Sequence, residues 1–212
     1  MTTDLDRLAD DLVRVCRRLA AAGLSPGGSG NVSARLGDQV LVTPTGSSLG
    51  RVRSEDLALL DVADGASRRG PVPSKEAPLH LAILRGNPAA GAVVHLHAAH
   101  STAIACLPPD ADGLAALPAF TPYRVLRLGD VPLVPYAPPG SPELAEGAAR
   151  AAAAPVMLLA AHGPVVAAAT LDAAADLAEE LENAAQVALL LAGSAAAPLP
   201  PDEIARLRGP SR

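Results

Sequence analysis

Three of the five histidines in this 212-residue chain fall within six positions, in VVHLHAAHSTA (Val93–Ala103). His95 and His97 are two apart in a β-rich run, and on a strand both imidazoles would leave the same face. Two imidazoles so placed can chelate one divalent ion. A lone H-x-H is more often packing than chelation, but two further residues strengthen the pattern here. His162 stands beside Gly163 where an apolar run breaks, which suits a third ligand brought in from elsewhere in a sheet. Glu76 adds a carboxylate in the predicted first turn of a helix. Three histidines and a carboxylate are a donor set for tetrahedral zinc that can exchange one protein ligand for substrate; other divalent transition metals are alternatives. His80, four residues after Glu76 and on the same helical face, is expected to hold that carboxylate in place. His100, in the first turn of the helix after the strand, is expected to support the site.

Three glycine-rich or polar segments precede the histidines: GGSGNVS (Gly27–Ser33), TPTGSS (Thr43–Ser48) and PSKE (Pro73–Glu76). Backbone amides at glycine turns and helix starts are ready anion sites, for phosphate or carboxylate. Each segment alone reads as an ordinary turn. Lys75 changes the balance. It is the only lysine among 17 basic residues, and it sits at a helix start, the unfavourable end of the dipole for a cation. An anionic partner explains that placement.

The elements that must position these residues follow from periodicity and punctuation. Leu5, Leu8, Leu12, Val15, Cys16 and Leu19 recur at helical spacing and predict an amphipathic opening helix ending near Gly23. VSARL and QVLVTP flank Gly37–Asp38 and predict a hairpin. LALLD reads as a strand and ADGASRRGP as a polar turn. Ser74 is the expected N-cap of the helix KEAPLHLAILRGN, with Pro78 in its first turn. AVVHLH is the next predicted strand, with a helix over AHSTAIACL behind it. DVPLVPY is extended, SPELAEGAARAAA helical, and VMLLAAHGPVVAAA two strands around His162–Gly163. A long helix with Ala174, Leu177, Ala178, Leu181, Ala184, Ala185 and Ala188 on its apolar face ends at Gly193. The expected fold class is one α/β domain over residues 1–195, with hairpins that call for a mixed sheet. Residues 196–212 form a Pro-rich tail, expected to be loose or packed on a neighbour.

Composition excludes several functions. With 22 acidic against 17 basic residues, two tyrosines, one phenylalanine and no tryptophan, there is no basic stripe or aromatic platform for nucleic acid. The most apolar stretch is broken by Pro155, His162, Gly163 and Pro164, so no membrane span is expected. Two cysteines give no disulfide framework, and the acidic amphipathic N-terminus is unlike a signal peptide. The expected setting is cytoplasmic.

The motifs GNVS, TPTG, PSKE, HLHAAH and AAHGPVV, in this order from about Leu5 to about Leu191, resemble the class II aldolase/adducin family. That resemblance implies a three-layer α/β/α domain with a mostly antiparallel sheet, assembled as a homotetramer. It implies zinc ligands at His95, His97 and His162, and a catalytic acid/base at Glu76 that also binds the resting metal. It places phosphate-binding positions at Asn31, Gly46 and Ser74. The stretches PSKEAPLHLAI and LPAFTPYRVLRLGDVPLVPYAPPGSPELAE are most similar to the branch that decarboxylates 3-oxo-tetronate 4-phosphates. Lys75, where the aldolases tend to carry a second serine, suits a substrate bearing both carboxylate and phosphate. Tyr123 lies where the family often lends a tyrosine across a subunit interface. A cupin barrel also pairs H-x-H with a glutamate and a third histidine. There the glutamate follows the pair, whereas Glu76 precedes it by nineteen residues.

The expected reaction is loss of CO2 through a zinc-stabilised enediolate, with Glu76 protonating the carbon to give dihydroxyacetone phosphate. The alternative is a zinc-dependent aldolase acting on a sugar phosphate such as fuculose 1-phosphate. A non-catalytic, adducin-like module has no need of a complete ligand set and is the least favoured reading.

Overall fold

The computed structural model describes residues 3–209. Eight strands form one sheet: β1 (Asn31–Leu36), β2 (Gln39–Val42), β3 (Ala58–Asp61), β4 (Ser67–Arg69), β5 (Ala92–His95), β6 (Leu133–Val134), β7 (Val156–Leu159) and β8 (Gly163–Ala168). Their order is β4-β3-β2-β1-β5-β8-β7-β6, and every neighbouring pair is antiparallel except β6 with β7. Six α-helices, with a 3-10 turn over Ser54–Asp56 and a π-helical turn over Arg124–Leu128, complete the described chain: α1 (Asp4–Ala21), α2 (Ala77–Gly86), α3 (Ala99–Ala105), α4 (Pro142–Arg150), α5 (Leu171–Leu190) and α6 (Pro201–Arg208).

The helices divide between the two faces of the sheet. Val32, Ala34, Val94, Leu96 and Val166 pack with Leu12, Cys16 and Leu19 of α1 and with Leu181 and Ala185 of α5. Val42, Val93, Val165 and Ala167 pack on the opposite side with Leu81, Ile83 and Leu84 of α2 and Leu144 of α4. This is the three-layer α/β/α arrangement with a mixed, mostly antiparallel sheet. The two-residue period of the strands makes it, because alternate residues feed separate cores. Each fully buried leucine contributes about 1.5–3 kcal/mol of transfer free energy.

Local signals set the element ends. Thr3 caps α1 by accepting from the Asp6 amide, and the Asp6 carboxylate returns the bond. Ser141 and Thr170 cap α4 and α5. Gly37, with φ 63°, makes the tight β1–β2 turn.

Four sequence expectations need correction. ADGASRRGP is not only a turn, because Ser67–Arg69 pair with β3 as an exposed edge strand. Charged, fully exposed residues carry no alternation to reveal a strand. The predicted strand over AVVHLH ends at His95, so His97 lies beyond it. Helix α2 starts later than Ser74, with Glu76 itself at the N-cap position. The Pro-rich tail contains α6, fastened to its own chain by Leu199 N–H donating to Ala119 O and by Arg208 pairing with Asp130. Residues 210–212 of that tail lie outside the described residues.

Candidate metal centre

Three elements converge on one point. β5 ends at His95, and the inward-outward alternation outlasts the hydrogen-bonded ladder by two residues. Leu96 turns into the α1/α5 core, and its amide still donates to Pro164 O, so His97 returns to the face of His95. The neighbouring β7–β8 turn presents His162. Its amide donates to Leu159 O, and Ala161 takes φ 53°, the one positive φ among described non-glycine residues. Such backbone strain is held by its surroundings, here including the Ala161 amide donating to Ala105 O. From the α2 side comes Glu76, with Ser74 Oγ accepting from its amide.

The four side chains offer ligand atoms that all lie within 4.8 Å of one another. His95 Nε2 is 3.1 Å from His97 Nε2 and 3.3 Å from His162 Nε2. Glu76 Oε2 lies 3.4 Å from His95 Nε2, and its Oε1 lies 3.4 Å from His162 Nε2. His95 Nδ1 is 2.9 Å from Pro164 O, a carbonyl that can only accept. Nδ1 therefore carries the hydrogen, and the Nε2 lone pair faces the cluster. Lone pairs crowded this closely repel unless a cation lies between them. Nitrogens about 2.0–2.1 Å from a tetrahedral ion stand roughly 3.3 Å apart, close to the spacing found. The residues fit a metal ion.

Electrostatics agree. Burial pushes the His162 imidazole down to about 4, and the charges of His95, His97 and Lys75 add to this against the opposing pull of Glu76. Burial and the neighbouring His95 likewise lower His97. Neutral imidazole is the form that binds metal. Burial raises Glu76, but the pull of the neighbouring His95, with help from Asn31 and His162, outweighs it and holds the carboxyl below its usual range.

The anion segments also come together. Thr45 N–H donates to Val72 O and Ser74 N–H to Thr43 O, stitching TPTG to PSKE. A Cβ on Gly28 would stand 3.8 Å from the Gly46 and Ser47 carbonyls, so the first two loops adjoin. Among the described residues the amides of Gly28 and Gly46 donate to nothing, and Gly46 is exposed with φ 68°. Lys75 is exposed and near enough to depress both His97 and His162.

Three assignments read differently in three dimensions. Asn31 is buried, and its Nδ2 donates to Glu76 Oε2 at 2.9 Å. The His80 imidazole does not bond the Glu76 carboxylate; it meets Asn31 instead, and only the His80 amide donates to Glu76 O. His100 pairs with Glu182 of α5, whose carboxylate also accepts from the amides of His100 and Ser101 and from Ser101 Oγ. Glu182 thus caps α3, immediately after the turn that carries His97. Neither Glu182 nor Ser33, which bonds His80, was singled out in sequence. Ser33 shares a strand face with Asn31, and that spacing was its signal. Tyr123 is largely exposed and makes no hydrogen bond to the cluster among the described residues.

Comparison with known proteins places the chain. The family described as Class II Aldolase and Adducin N-terminal domain matches residues 10–189. A 3-oxo-tetronate 4-phosphate decarboxylase of Haemophilus influenzae is 46% identical over 184 residues, covering 86% of this chain and 87% of that protein. An L-fuculose phosphate aldolase of Escherichia coli is 35% identical over 187 residues, covering 87% and 83%. The crystal structure of YgbL from Escherichia coli matches with a TM-score of 0.92 at 39% identity, covering 98% of this chain and all of the other.

Proposed function

The chain belongs to the class II aldolase and adducin family, and we propose that it is a lyase removing CO2 from a 3-oxo-tetronate 4-phosphate, with zinc as its metal. The observation that carries this reading is the arrangement of Glu76 against three convergent imidazoles. One carboxylate oxygen is tethered by Asn31, and the other, Oε1, is buried without a hydrogen-bond partner.

His95, His97 and His162 would hold the ion, with Glu76 as the exchangeable fourth ligand. When bound, zinc supplies Lewis-acid stabilisation of the negative charge that develops on the substrate's keto oxygen as CO2 leaves. The remaining work falls to the chain. Loss of CO2 breaks the C1–C2 bond and leaves its electron pair on C2, where one proton must arrive to give dihydroxyacetone phosphate. Glu76, once protonated from water, would carry that proton to C2 on Oε1, the oxygen with no hydrogen-bond partner. The free amides of the Gly28 and Gly46 loops receive the phosphate, and Lys75 attracts the second anionic group. Gly46 and Ser74 bound the phosphate side of the site. Asn31, occupied with Glu76, serves the carboxylate first.

The family's assembly suggests a homotetramer, in which Tyr123, exposed here, would face a neighbouring subunit. No described helix is long and apolar enough to cross a membrane, and the setting we propose is cytoplasmic.

The test is CO2 release from a 3-oxo-tetronate 4-phosphate by zinc-loaded protein, run beside aldehyde formation from fuculose 1-phosphate. CO2 and dihydroxyacetone phosphate without aldehyde are expected. Aldehyde without CO2 would move the chain to the aldolase reading.

A further inference from the structure

Behind the histidine group, four buried polar side chains stand in a line. Ser33 Oγ lies 2.7 Å from His80 Nδ1, His80 Nε2 lies 2.5 Å from Asn31 Oδ1, and Asn31 Nδ2 lies 2.9 Å from Glu76 Oε2. Ser33 and His80 are wholly inaccessible, and Asn31 and Glu76 nearly so. The middle of the line, at Ser33 and His80, is closed to solvent.

One end dictates the direction of every bond. An ionised carboxylate can only accept, so Asn31 must turn its NH2 toward Glu76. The Asn31 carbonyl then faces His80 and can only accept, which puts the imidazole hydrogen on Nε2. Nδ1 is left with a lone pair, and the Ser33 hydroxyl donates to it. Each assignment follows from the one before, and none is free to reverse alone.

The fold supplies this line from two places. Asn31 and Ser33 share one face of β1, while Glu76 and His80 lie one turn apart at the start of α2. The line therefore straps the helix that carries the acid to the strand beside the metal ligands.

We infer that Ser33, His80 and Asn31 are positioning residues for Glu76, forming a one-way chain of donors that holds Oε2 and leaves Oε1 as the working oxygen. Oε1 is the oxygen with no hydrogen-bond partner, and it lies 3.4 Å from His162 Nε2. An oxygen already receiving the Asn31 hydrogen is the poorer proton carrier, because protonating it weakens that bond. The chain thus selects which of two chemically equal atoms works. The consequence for catalysis rests on the function proposed above, but the hydrogen-bond directions do not.

The experiment separates the two. Metal-free protein labelled with ¹⁵N-histidine is examined by long-range proton–nitrogen correlation, with the His80 signals identified by their loss in His80→Gln. The expected result is a neutral ring with hydrogen on Nε2 and a lone-pair Nδ1. Hydrogen on Nδ1 would overturn the chain whatever the substrate. In zinc-loaded protein, His80→Leu should lower kcat by roughly 10- to 100-fold, with KM and zinc affinity within about threefold of the parent. His80→Gln, whose amide can still donate to Asn31, should recover most of the loss. Equal loss in both variants, or zinc affinity falling in step with kcat, would reject positioning in favour of a merely structural role. A parent protein that releases no CO2 would refute the function while leaving the tautomer measurement decisive.

Discussion

Asn31 lies directly opposite His95 across the antiparallel β1–β5 ladder. That one register pair sets the amide that grips Glu76 beside the imidazole that Glu76 approaches to 3.4 Å. A slip of one residue would turn Asn31 and Ser33 to the opposite face and dissolve the site. The sheet is therefore part of the chemistry as well as its support, and variants of both kinds are informative.

His97 stands past the end of β5, yet its Nε2 comes within 3.1 Å of His95 Nε2. His97→Ala should leave purified protein with substoichiometric zinc and cut CO2 release by more than about 100-fold, beyond the loss of a supporting partner. Metal content and turnover are measured on the same sample. Full activity in this variant would refute the metal site.

Glu76→Gln keeps the side-chain volume and removes the proton carrier. With three histidines still in place, zinc content should stay near that of the parent while kcat falls by about 10²–10⁴. Turnover surviving the change would mean that the proton comes from another group.

Acid should weaken the metal-free protein in a defined window. Burial, helped by the charge of His95 and opposed by Glu76, pushes His80 down to about 3 from an ordinary 6.5. Below pH 6.5 the unfolded chain protonates this group while the folded protein does not, so stability falls as pH falls toward 3. Glu76, held below its ordinary 4.5, adds a loss of the same sign at the lower end. Melting temperature measured across this range should decline, and decline less steeply in His80→Gln. Parallel curves would show that His80 is not held neutral.

Gly163 packs against the segment just past β5 that joins His95 to His97. A Cβ there would stand 2.4 Å from Leu96 O, a backbone atom that cannot swing aside. Gly163→Ala should cost about 1–3 kcal/mol in denaturant unfolding. It should also weaken zinc binding, since His162 and His97 lie on either side of the forced contact. Unchanged zinc affinity with reduced stability would separate the site from this contact.

Much of the site was legible because side-chain chemistry is written residue by residue. His95, His97, His162 and Glu76 stand out by type, and the helical period of about 3.6 residues and the strand period of two reveal most helices and strands without reference to the rest of the chain. The α/β class and the family resemblance came from the same local patterns. The edge strand Ser67–Arg69 escaped because an exposed strand has no burial pattern to display.

What only the tertiary structure decided is which polar groups face each other across elements. Glu76 and His80 look like direct partners at four-residue spacing, but Asn31, some fifty residues away in sequence, stands between them. His100 looks like part of the histidine group until Glu182 of α5 claims it. Such pairings depend on sheet register and on how helices seat against the strands, and both are set by the summed packing of two cores. Local spacing names the residues able to do chemistry. Long-range packing, with the need to satisfy every buried hydrogen bond, assigns each one its partner.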